Sequence, residues 1–226
     1  MIIFLKLSPL DFAEVWALLI PLSVLAFNRK QPSVLKPVIV YLFLALVLNI
    51  ISDGIMLYNS GKELNQMLSN NPYYNIHSII RFACFCMFFL KLQQTYFNKI
   101  KRLIPILWLL FFVLNFTFFE NTGLFNFMHL SGNLLAAEAY LLLVYCMLYY
   151  LSQLRDDIAK FKSEKVFWVI TGLAIYVVIN FFVFLFYIPM LDENIDLATS
   201  MWDIHNLAYI ILCILIAKAF YVPDSH

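Results

Sequence analysis

The chain has 226 residues, of which 63% are apolar, 18% aromatic and only 13% charged, with a formal net charge of +1. A soluble domain carries about half apolar and about a quarter charged residues, so this chain lacks the polar side chains to cover a globule, and its expected solvent is a bilayer. The near-zero charge excludes the basic footprint of a nucleic-acid binder.

A bilayer core of about 30 Å needs about 20 apolar residues per helix. Seven runs meet that length, near 9–27, 37–58, 72–94, 103–119, 129–151, 166–188 and 200–221. The expected fold is therefore an all-α integral membrane protein with seven transmembrane helices, read as a single domain over 1–226. Nothing in the pattern points to a barrel. The start, "MIIFLKLSPLDFAEV", has no basic head and no small-residue cleavage site, so no cleavable signal peptide is expected. Ser8-Pro9-Leu10-Asp11 reads as a cap, a first-turn proline and a third-position acid. Pro37, Pro72 and Pro105 are read at similar entry points, and Ser200 with Asp203 repeats the capping-box spacing. Cys84, Cys86, Cys146 and Cys213 all fall in apolar runs without a C-x-x-C pair and are read as soft apolar filler. The tail "YVPDSH" leaves no room for a soluble effector domain.

The loops alternate sharply in Lys and Arg. The first carries Arg29, Lys30 and Lys36, the third Lys91, Lys99, Lys101 and Arg102, and the fifth Arg155, Lys160, Lys162 and Lys165. The second has only Lys62, and the fourth and sixth have none. The positive-inside rule then predicts the N-terminus outside and the C-terminus in the cytoplasm, as in a multi-pass inner-membrane protein.

Depth follows from a rise of about 1.5 Å per residue. Glu14, Asp53, His77, Arg81, Glu138, Asn180, His205 and Asn206 are all predicted in the outer half. Charged groups within a span are costly and face a partner or a water-filled cavity. These eight residues are therefore the expected lining of an outward-facing polar pocket. Asp53 and Arg81 are expected partners at similar depth on consecutive helices; the alternative is that such a pair only staples the two helices together. Glu14 and His205 lie near enough to the interface to reach water. Asp203 is read as a cap, and His129 with Asn133 as sharing one helix face.

Parts of the chain echo one another. "YYNIHSIIR" (73–81) matches "MWDIHNLAY" (201–209), with Arg81 standing against Tyr209. "AEVWALL" (13–19) matches "AEAYLLL" (137–143) at four positions, including the glutamates. A fainter echo sets Asn49 against Asn180. The order pairs spans 1 with 5, 2 with 6 and 3 with 7. That predicts a 3+1+3 plan of two parallel bundles, with any solute site between the halves.

The seven-helix count, outside N-terminus and repeat resemble sugar transporters of the SWEET and PQ-loop kind, in architecture only. No Pro-Gln motif occurs, and Pro21 is read as the one proline within a helix body. Seven-helix ceramidase-like hydrolases carry Ser-x-x-x-His and late His-x-x-x-His elements. Here Met201 and Tyr209 flank His205 at those spacings. A retinal Schiff base is unexpected, because Lys218 lies too near the last span's end. No phosphate loop or nucleophile elbow occurs, and no cofactor or catalytic residue is expected. "NNPYYNIHSIIRFACFCMFFLKL" and "MWDIHNLAYIILCILIAKAFY" resemble small seven-helix proteins of Bacteroidota and membrane sensor regions of histidine kinases. That resemblance favours a non-catalytic sensor, whose outward pocket of Arg, His and carboxylates would bind a small polar or amphiphilic ligand. Its basic loops would meet a signalling partner or anionic lipid. A small-solute transporter is the alternative. The third reading is a zinc hydrolase using His77, His205 and Asp53.

Overall fold

The computed structural model describes residues 8–60, 62–63, 66–92, 94, 96–120, 128–155 and 164–223. Among them seven helices are long and apolar enough to cross a membrane. In lipid a helix satisfies its own backbone, so the apolar runs have no cheaper alternative. The chain is an all-α, multi-pass membrane protein.

Helix α1 (Ala13–Phe27) is led by a 3₁₀ turn, Pro9–Phe12. The Ser8 N–H donates to Asp11 Oδ2 at 2.6 Å, which closes the expected cap. A second 3₁₀ turn, Ser33–Leu35, leads α2 (Lys36–Asn59), with Pro37 in its first turn. Helix α3 (Asn71–Lys91) starts with Pro72. Helix α4 (Asn98–Leu114) runs on into a π-turn, Asn115–Phe119, where the Glu120 N–H reaches back five residues to Asn115 O at 2.8 Å. Then come α5 (Gly132–Arg155), α6 (Glu164–Glu193) and α7 (Ile195–Tyr221).

Several ends differ from expectation. Helix α4 starts earlier, so Pro105 lies in its interior, and Pro189 lies inside α6; Pro21 is not alone in a helix body. Helix α5 starts at Gly132, so His129 precedes the helix and shares no helical face with Asn133. Helices α6 and α7 extend through the polar "DENID" stretch and meet at Asn194. Its side chain accepts from the Leu197 N–H at 3.1 Å and caps α7. Ser200 and Asp203 are therefore interior to α7, and the Ser200 hydroxyl donates to Asp196 O at 3.0 Å. Falling hydropathy marks the edge of the lipid, whereas the cap marks the end of the helix.

Helix α7 packs between α1 and α6, α5 packs on α6 and α3, and α2 packs on α3. Gly172 lets α6 and α7 approach closely, since a Cβ there would stand 2.9 Å from Leu215 Cβ. Aromatic pairs fill the centre: Phe82 stacks on Trp108 at 4.6 Å and Phe89 on Tyr145 at 4.8 Å. The four cysteines are buried free thiols. At the far end of α7, the Asn28 and Gln31 side-chain amides both donate to Phe220 O, at 3.2 and 3.0 Å. Lys165 Nζ donates to Gln31 Oε1 at 3.2 Å, and Lys101 Nζ to Leu92 O at 2.9 Å. Two lysines of the basic loops are thus buried and bound within the fold. Lys160 and Lys162 lie outside the described residues.

Candidate functional site

Glu14 sits in the first turn of α1, and His205 lies in α7, the helix packed against it. His205 Nε2 is 2.9 Å from Glu14 Oε1, and its Nδ1 is 2.5 Å from Asn180 Oδ1. The Asn180 amide N–H donates to Tyr176 O at 2.8 Å, which turns the amide oxygen toward the imidazole. Nδ1 therefore carries a proton. The Glu14–His205 contact then holds one more proton, on either the carboxylate or Nε2, because two bare acceptors would repel.

Glu138 of α5 has a different set of partners. Arg81 of α3 donates from Nε to Oε1 at 2.5 Å and from Nη2 to Oε2 at 2.8 Å. Ser78, one turn earlier, donates its hydroxyl to Oε2 at 2.5 Å. This is a bidentate, charge-assisted pair. The Tyr176 ring lies 5.1 Å from the guanidinium carbon.

A third group links these two. His77 Nε2 is 3.3 Å from Tyr41 OH, which donates to Tyr209 OH at 3.3 Å. The Tyr209 and Tyr176 rings both pack near His205, at 6.4 and 5.9 Å. Trp202 stands 5.0 Å from His205 and 5.2 Å from Tyr74. Six helices thus send side chains into one polar and aromatic cluster: Glu14, Tyr41, His77 with Arg81, Glu138, Asn180 and His205.

The cluster is packed rather than open. Glu14 is 4% exposed, Arg81 3%, and Glu138 and Asn180 0%. Glu14 and His205 do not reach water as expected, because the start of α1 is covered by α7. The carboxylate of Arg81 is Glu138, not Asp53; Asp53 stays partly exposed on α2, because Arg81 faces α5 instead. Asn206 is buried but serves α1, donating to Leu10 O at 3.0 Å. The alternative zinc set does not fit. His205 has both nitrogens engaged, His77 faces a tyrosine, and no group of three His, Cys, Asp or Glu among the described residues is placed to hold a metal.

Tyr41, Ser78, Tyr176, Tyr209 and Trp202 were not foreseen. One-turn spacing carried the signal for three of them: Ser78 precedes Arg81, Tyr176 precedes Asn180, and Tyr209 follows His205.

Two cavities lie apart from the cluster. One, of about 570 Å³, is walled by residues of α4, its π-turn, α5 and α6, among them Phe111, Asn115, Tyr140 and Phe181. The other, of about 480 Å³, is walled by Glu120, His129, Asn133, Ile188 and neighbours. Comparison with known proteins finds no family model, no curated protein and no solved structure that matches the chain.

Proposed function

We propose that the chain is a non-catalytic sensing module of a bacterial inner membrane, and that its buried polar cluster is the element a ligand biases. The observation that carries this reading is the convergence of strongly polar side chains from six helices in an otherwise apolar interior. Such groups are costly in a span and mark ligand, ion or signalling paths. Arg81 pairs directly with Glu138, while the ion-pair partner of Glu14 among the described residues is His205, through a shared proton. A small polar or amphiphilic solute that competes for Glu14 would loosen α1 from α7 and shift the balance between two packings. The Lys and Arg asymmetry of the loops supports an outside N-terminus. Arg29, Lys30 and Lys36 would then meet a cytoplasmic signalling partner or anionic headgroups.

Transport on a 3+1+3 plan is the second reading, and one observation favours it. The charged contacts run crosswise between the two sequence echoes: Glu14 of the first meets His205 of the second, and Glu138 of the second meets Arg81 of the first. Parallel-repeat transporters place their site at that boundary.

The test is a thermal-shift screen of purified protein against amino acids, dicarboxylates and sugars. The expected hit stabilises wild type and Lys62→Ala but neither Glu14→Gln nor His205→Asn. Uptake of that hit into proteoliposomes assigns transport; binding without uptake assigns sensing. If Glu14→Gln and His205→Asn keep the full ligand response, the cluster is a structural staple and both readings fall.

A further inference from the structure

The two cavities adjoin along α5, where Asn133 and Leu185 line both. Their volumes, about 570 and 480 Å³, are in the usual range of about 300–1,000 Å³ for small-molecule sites. The larger part is apolar, walled by Leu107, Phe111, Tyr140, Phe181 and Leu185, with Ala136 and Ala137 leaving room. The smaller part is the more polar of the two, carrying Glu120, His129 and Asn133 beside Phe184, Leu185 and Ile188.

Asn115 stands at the base of the π-turn and lines the apolar part. It is fully buried. Its amide nitrogen donates to Ser131 Oγ at 3.0 Å, while its Oδ1 has no hydrogen-bond partner among the described residues. A buried carbonyl oxygen left unpaired is unfavourable, and a ligand donor that reaches it gains what the fold leaves unmade. The Ser131 hydroxyl in turn donates to the Glu120 carboxylate. The more polar end therefore offers the Glu120 carboxylate, with the His129 imidazole and the Asn133 amide beside it, and a phosphate head would face the Glu120 charge. π-Turns inside α-helices occur frequently at functional sites.

We infer that this cleft binds a monoacyl amphiphile with a hydroxyl-bearing head, its chain along α4, α5 and α6 and its hydroxyls on Asn115 Oδ1 and Glu120. A bilayer lipid and a free amphiphile share that chemistry. None of the cluster's polar side chains walls the cleft, and Phe184, which walls its smaller part, packs 5.2 Å from the His205 ring; the inference rests on the lining of the cleft and not on the sensing reading.

The test uses the full chain in phosphatidylcholine nanodiscs and a monoacylglycerol with a diazirine in its chain. Crosslinks are expected at Phe111, Tyr140 and Phe181. Unlabelled monooleoylglycerol should compete about 10-fold better than methyl oleate, which has the same chain and no donor, in line with about 1.4 kcal/mol from one hydroxyl bond. Oleyl phosphate should compete no better than methyl oleate. Asn115→Leu should keep the labelling and lose the preference, and Ala137→Trp, at a partly exposed position, should lower labelling about 5-fold by filling the cleft. Labelling spread over all lipid-facing helices, or equal competition by the first two compounds, overturns the inference. Those arms use wild-type protein and do not depend on any variant folding. A bilayer-only source would show competition in nanodiscs made with monooleoylglycerol but none when it is added from solution.

Discussion

Glu14 and Glu138 open matching stretches, "AEVWALL" and "AEAYLLL", yet the protein gives them opposite company. Glu138 is held by a guanidinium through two bonds and by a serine hydroxyl through a third. Glu14 is held by a single imidazole contact. The cause lies on the facing helices. At the position where α3 carries Arg81, α7 carries Tyr209, so the second carboxylate contact lacks a permanent cation. A guanidinium stays charged, whereas an imidazole exchanges its proton. One contact is therefore a fixed tie and the other a contact whose charge is borrowed.

This contrast predicts unequal costs. Arg81→Ala strands Glu138 in the interior and should lower stability by about 3–5 kcal/mol, read as a fall in the detergent melting temperature. Lys62→Ala should stay within about 0.5 kcal/mol. A comparable loss for both would remove Arg81 from its special place. Replacing the pair together, Arg81→Met with Glu138→Leu, should recover more than half of that loss, because an apolar pair leaves no buried charge behind. Glu14→Gln should cost only about 1–2 kcal/mol, since the amide N–H can donate to the bare Nε2 of a neutral His205. If it costs as much as Arg81→Ala, the two contacts are equivalent and the contrast fails. Tyr41→Phe is the mildest change. It removes the hydroxyl between His77 and Tyr209 and should cost about 0.6 kcal/mol, typical of hydrogen bonds between membrane helices.

The seven spans were legible because lipid length and backbone satisfaction leave a 20-residue apolar run few choices. The glutamates and histidines were legible as costly groups in those spans. Their partners were not. Arg81 was matched to Asp53 because consecutive helices pack, and α2 and α3 do pack. Depth along a helix, however, says nothing about rotation around it, and Arg81 faces α5. The tyrosines hid for another reason: their rings suit an apolar span, and only the hydroxyl shows that Tyr41 and Tyr209 belong to the polar cluster. Asn115 gave no signal, because nothing in "NFTFF" announces a π-turn.

Helix α1 is joined to α7 near both ends of α1, at mid-length of α7 and at its last turn. Leu10 O and Glu14 are bound by Asn206 and His205 at one end, and Phe220 O is bound by Asn28 and Gln31 at the other. While both pins hold, the two helices shift together; a solute that frees Glu14 releases one side chain of the first pin and leaves the second in place, directly beside Arg29 and Lys30.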